Sequence, residues 1–179
     1  MKKSAACAVL LLTGGIVVSG ATRIFTNPKP DAHLKRLFPQ AGFFTPLAGD
    51  PLHFTAYAAD PRGNTAATPL GLAFWTTDLV PYEHGYHGPI HLLVGMDMSG
   101  ILTGVVEDYD SEPYGYFSVE PDTFAAQFKG KSIRAPFQVG HDIDAVSRAS
   151  LSINSATRAI RDSARMIARQ FLSPDAVKR

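Results

Sequence analysis

Two apolar runs separated by a short turn constrain this chain most. Ile90 to Met96 (IHLLVGM) and Ile101 to Glu107 (ILTGVVE) are strand-forming, and Asp97-Met98-Ser99-Gly100 between them has the make-up of a hairpin turn. Gly100 is available there for a positive φ angle. Apolar and aromatic stretches at Phe43 to Ala58 and Leu70 to Thr77 predict further strands. Period-2 patterning in His53-Phe54-Thr55-Ala56-Tyr57 supports that reading, and an Asp60-Pro61-Arg62-Gly63-Asn64 turn parts the two stretches.

Helical spacing begins where this β pattern ends. Asp122 to Lys129 places Phe124 and Phe128 on one side as core residues. The carboxyl end carries the strongest helix: Ala156, Ile160, Ile167 and Phe171 form one stripe, while Arg158, Arg161, Arg165 and Arg169 populate the other faces. Ser173-Pro174 ends it. A short helix at Asp31 to Leu37 is expected ahead of the strands, capped by Asp31 and stopped before Pro39. Strands followed by a packing helix predict an α+β fold: a single domain with an antiparallel sheet packed by helices and a long C-terminal helix.

Composition narrows the function. The 179 residues suit one domain with a sizeable core. Hydrophobic residues at 45% against 18% charged exclude a disordered chain. Lys+Arg 17 against Asp+Glu 16 leaves no excess to neutralise phosphates, so no nucleic-acid partner is expected. A single Cys excludes a disulfide framework and any four-thiolate metal site within the chain.

The amino terminus reads as an address. Lys2 and Lys3 precede an apolar run from Ala5 to Val18, and Ser19-Gly20-Ala21 puts small residues where a signal peptidase reads. The run is shorter than the roughly 20 residues that span a bilayer comfortably. A cleaved export signal is favoured over an uncleaved anchor, and a periplasmic or cell-envelope location follows. Residues 1–21 are thus a signal peptide or membrane anchor, 22–34 a Pro-rich linker, 35–173 the folded domain and 174–179 a tail.

The chemistry concentrates just before the last helix. Asp144-Ala145-Val146-Ser147-Arg148-Ala149-Ser150-Leu151-Ser152 packs three hydroxyls and an acid beside a helix amino terminus. Free backbone N–H groups and the positive end of the helix dipole favour a phosphate there, hydroxyls can donate to it, and Arg148 would add a charge-assisted contact. The same residue types also make an ordinary capping segment.

This stretch resembles the flavin-attachment motif of the FMN-binding domain family, whose members include the RnfG and NqrC subunits and the periplasmic domain of NosR-type proteins. The family pattern runs Asp, two variable residues, Ser or Thr, Gly, Ala, Thr, a variable residue, then Ser or Thr. Asp144, Ser147, Ala149 and Ser152 match it, Ser150 occupies the acceptor position, and Leu151 the variable one. Arg148 stands where the family has Gly, and Ser150 where it has Thr. Outside the motif, Leu37-Phe38-Pro39, the run from Pro69 to Pro81, Gly85 to Ile90, Leu92 to Asp97 and Gly104-Val105-Val106 are similar to NosR-type domains. The likeness covers roughly residues 35 to 172. In Tyr109 to Tyr116 (YDSEPYGY), Glu112, Pro113 and Gly115 are similar to what remains of a loop that relatives carry beside the flavin, with Tyr114 among its aromatics.

The resemblance implies FMN as cofactor, joined through its phosphate to the Ser150 hydroxyl by a separate flavin transferase after export. It also implies an electron relay between a membrane donor, iron–sulfur or quinone-linked, and an exported acceptor, rather than an enzyme with its own substrate. No dinucleotide-fold glycine pattern accompanies it. Tyr86, Tyr109, Tyr114, Tyr116, Phe117 and Trp75 are the aromatics for stacking on such a ring, most of them expected to fill core or rim positions. Two alternatives stay open: an accessory or regulatory module of the same fold without flavin, and a metal-handling protein using His84, His87 and His91.

Overall fold

The computed structural model describes residues 30–64 and 66–177. Expectations for the export signal and most of the linker lie outside them. The order is α1 (Asp31–Leu37), β1 (Phe43–Phe44), β2 (Phe54–Tyr57), β3 (Gly71–Trp75), α2 (Thr76–Leu79), β4 (His91–Asp97), β5 (Leu102–Tyr109), α3 (Asp122–Ala126), α4 (Ser150–Phe171) and α5 (Pro174–Val177). The strands form one five-stranded sheet in sequence order, every pair antiparallel, as the α+β reading expects. The hairpin that anchors this sheet pairs β4 with β5, and Gly100 in its turn has φ +81°.

Both faces of the sheet are covered. Leu72, Phe74, Leu92, Val94, Met96, Leu102 and Val105 pack against Ile153, Ala156, Ile160, Ala164 and Ile167 of α4, with Phe124 and Phe128 completing the layer. The opposite face sets Ala73, Trp75, Leu93 and Val106 against Leu34, Leu37 and Phe38. This double covering explains why β3 and β4 read as near-continuous apolar runs, since strands buried on both sides lose the polar alternation. No helix among the described residues is long and apolar enough to cross a membrane.

Several local expectations are revised. Phe43 to Ala58 is split into β1 and β2, because Pro46 and the Gly49-Asp50-Pro51 bend break the run of backbone donors between them. Thr76 and Thr77 open α2 instead of closing β3. Asp31 does not cap α1: Pro30 holds the N-cap without a side-chain bond, and Asp31 lies in the first turn, where its charge faces the helix dipole. α1 begins ahead of the boundary placed at residue 35, and its buried Leu34 belongs to the core. α3 stops at Ala126 and unwinds through turns to Gly130. α4 starts at Ser150, so the hydroxyl-rich segment overlaps the helix's first turn.

Candidate functional site at the start of the long helix

α4 opens on an uncapped end. Its N-cap is Ala149, which has no side chain able to accept from the first-turn N–H groups, so Ser150, Leu151 and Ser152 begin the helix with no side-chain cap. Ser150 and Leu151 face outward, Leu151 at 62% exposure, while Ser152 is buried. The chain enters this end through a tight turn in which the Ala149 N–H donates to Val146 O at 3.2 Å. Arg148 holds φ +69° in that turn, in the left-handed region, with its side chain exposed. The position where the resemblance expects glycine is thus one whose backbone favours glycine. Asp144 and Ser147 are also exposed, and the Asp144 N–H donates to Gln127 Oε1 at 2.7 Å.

Glu112 ties this helix start to two loops. The Ser152 hydroxyl donates to its Oε2, the Tyr86 N–H donates to Oε2 at 2.8 Å, and the N–H groups of His87 and Gly88 donate to Oε1 at 2.8 and 3.3 Å. Burial pushes the Glu112 carboxyl up, but Ser152 and the three backbone donors outweigh it and hold the group below the ordinary carboxylate range. Gly85 makes the approach possible: a Cβ there would lie 2.6 Å from Glu112 Cδ. Glu112 and Ser152 therefore act as internal fasteners, with Ser150 and Leu151 left outward beside them. Pro113 and Tyr114 are exposed next to Glu112, and the Tyr114 ring packs on Phe117 at 5.4 Å.

The exposed aromatics divide cleanly from the buried ones. Tyr86 (65%), Tyr114 (43%) and Leu151 present apolar surface on the three segments that meet at Glu112. Trp75 is fully buried on the α1 side of the sheet, stacked on His91 with centroids 4.1 Å apart, and takes no part in this surface. Beyond the loop lies a run of acids. Desolvation first, then Asp110, Glu120 and Asp108, push the Glu107 carboxyl from 4.5 up to about 7. Burial likewise raises Asp110.

The three histidines do not converge. His84 Nε2 lies 3.1 Å from Pro81 O, and His87 stacks on Tyr86; both are exposed. His91 is fully buried, with Nδ1 2.6 Å from Thr77 Oγ1. Among the described residues no three His, Cys, Asp or Glu side chains are arranged to hold a metal ion. The backbone clasp of Gly85 to Gly88 on Glu112, and the Asn154 amide that donates to Ser150 O at 2.7 Å, were not expected, although Tyr86 and His87 of that loop stood among the stacking and metal candidates.

An uncapped helix start, an outward hydroxyl in its first turn and an adjacent exposed guanidinium fit a phosphate-bearing cofactor. The model of the FMN-binding domain family matches residues 85–165, which span the Glu112 hub, the hydroxyl-rich segment at 144–152 and most of α4. No curated protein matches the chain at significant similarity. The match marks residues 85–165 as an FMN-binding domain.

Proposed function

We propose that the protein is an exported electron-transfer domain of NosR or RnfG type whose FMN is joined through its phosphate to Ser150. The observation that carries this is the outward Ser150 hydroxyl at the first position of a 22-residue helix with no side-chain cap. The first-turn N–H groups and the helix dipole favour a phosphodiester monoanion there. A flavin transferase would join the Ser150 Oγ to the phosphorus of a flavin dinucleotide. The bond formed is Oγ–P, the phosphoanhydride bond breaks, the nucleoside monophosphate leaves and the hydroxyl proton passes to the transferase.

When bound, the flavin supplies one- or two-electron redox chemistry. The chain's own residues hold and expose it. Leu151, Tyr86 and Tyr114 offer apolar surface for the ring on the solvent side of the Glu112 hub, where a partner protein reaches it. The electron donor is a membrane component, iron–sulfur or quinone-linked, and the acceptor an exported protein.

Production in an exporting host with and without a flavin transferase tests this. The expected product is yellow only with the transferase and keeps one FMN of added mass after denaturation. Ser150→Ala should lose that mass entirely while shifting stability by no more than about 0.5 kcal/mol, as an exposed substitution does. Covalent loading of the Ala variant would overturn the choice of hydroxyl, and a colourless wild-type product would overturn the flavin reading.

A further inference from the structure

Further along α4, two turns past Ser150, a second polar site is built into the fold. A cleft of about 370 Å³ opens between the Pro136–Val139 segment and the helix, lined by Asn154, Thr157, Arg158 and Arg161. Thr157 is 1% exposed, and its Oγ1 is buried without a hydrogen-bond partner. A hydroxyl left so costs stability, and a helical Thr ordinarily escapes that cost by bonding the carbonyl one turn back. Thr157 does not, although Ser163 on the same helix donates to Ala159 O at 2.6 Å.

Each guanidinium lining this cleft is held by a carboxylate. Glu83 takes the Nε and Nη2 edge of Arg158 at 3.0 to 3.2 Å. Asp162 takes the same edge of Arg161 at 2.7 and 3.1 Å. Each group therefore keeps its Nη1 donors uncommitted among the described residues, fixed in orientation by a bidentate carboxylate. The two cations also repel each other, which shows in the effect of Arg161 on Arg158, and an anion between them relieves that repulsion.

We infer that this cleft binds a small oxyanion, a carboxylate or phosphate group of a small molecule, gripped by Arg158 and Arg161 with the Thr157 hydroxyl as donor. The fixed guanidiniums lose little freedom on binding, the usual advantage of preorganised recognition. Glu83 and Asp162 oppose the ligand's charge, so recognition depends on the remaining donor edges and not on net charge. This site is separate from Ser150 and does not depend on the flavin reading.

Thermal unfolding of the full chain tests it, with inorganic phosphate and malonate as probes and sodium chloride at matched ionic strength as the control. Wild type should show a saturable rise in Tm of a few degrees with phosphate or malonate and none with chloride. Ser150→Ala should keep the rise, which shows that the Ser150 hydroxyl takes no part in it; the helix-start N–H groups are separated from this site by the two cleft variants. Thr157→Val, which removes the unpartnered hydroxyl at constant shape, should raise the basal Tm and abolish the rise; Arg161→Gln should abolish it too. No saturable rise in wild type, an equal rise with chloride, loss of the rise in Ser150→Ala, or a rise kept in either Thr157→Val or Arg161→Gln would overturn the assignment.

Discussion

Glu112 and Glu107 lie on either side of Asp110, yet their surroundings push them in opposite directions. Glu112 is bound by four donors, a hydroxyl from α4 and three backbone N–H groups from one loop, which outweigh the nearby Asp110 carboxylate. Glu107 is met by carboxylates, with Asp110, Glu120 and Asp108 adding to the cost of its burial. A buried carboxylate is retained as a fastener only where donors gather around it; where acids gather, the same side chain is most comfortable protonated. The comparison separates a hub, which ties the start of α4 to the loop at 86–88, from an acidic margin whose stability changes with pH.

The largest effect should come from breaking the hub. Glu112→Gln keeps the size but removes the charge, and its amide nitrogen cannot accept from the donors that face it. We expect a loss of about 3 kcal/mol in urea unfolding, the cost of leaving buried donors without acceptors. The wild-type contribution has a defined pH window. The Glu112 pKa is lowered in the fold, so its stabilisation is present above the ordinary 4.5 and is lost as pH falls through the folded value. The difference between wild type and Glu112→Gln should therefore shrink in acid. An unchanged midpoint at pH 7 would show that the hub carries no stability.

Glu107→Gln should act with the opposite sign. Its pKa is raised, so the folded state holds the proton more tightly than the unfolded chain, and wild type loses stability as pH climbs from about 4.5 to about 7. The amide that replaces the carboxyl carries no charge at any pH. The variant should match wild type near pH 4 and exceed it by about 1 to 2 kcal/mol at pH 8, a figure reduced for the group's partial access to solvent. Unfolding curves at the two pH values check this, and a gap that does not grow with pH would remove the contrast between the two glutamates.

The same contrast explains what could be read in advance. Local patterns were legible: the β4–β5 hairpin follows from two apolar runs and Gly100, and α4 from the stripe of Ala156, Ile160 and Ile167. The hydroxyl-rich segment at the start of α4 stood out because its residues are consecutive. The hub was not, because Glu112 meets Ser152 across 40 residues and His87 across 25, separations that leave no periodic trace. Glu112 and Ser152 were expected to face a cofactor; the fold turns them toward each other and leaves Ser150 and Leu151 outside. Local chemistry also misplaced strand ends, since only tertiary packing decides that Thr76 starts a helix instead of prolonging β3.

The smallest effect falls at the turn that feeds the helix the hub holds. Arg148 sits at φ +69°, where a Cβ crowds the backbone and glycine does not. Arg148→Gly should relieve about 1 kcal/mol of that strain, although glycine returns part of the gain because the unfolded chain becomes freer. A net rise of a few tenths to 1 kcal/mol in urea unfolding is expected, independent of pH because no carboxylate is involved. The guanidinium beside Ser150 makes the substitution informative in a second way. If Arg148 contacts the phosphate, the stabilised variant should hold FMN more weakly than wild type while its affinity for riboflavin, which lacks the phosphate, stays the same. Titration by flavin fluorescence measures both. Equal weakening for the two flavins would assign Arg148 to the ring, and no weakening for either would leave it a strained bystander in a turn built for glycine.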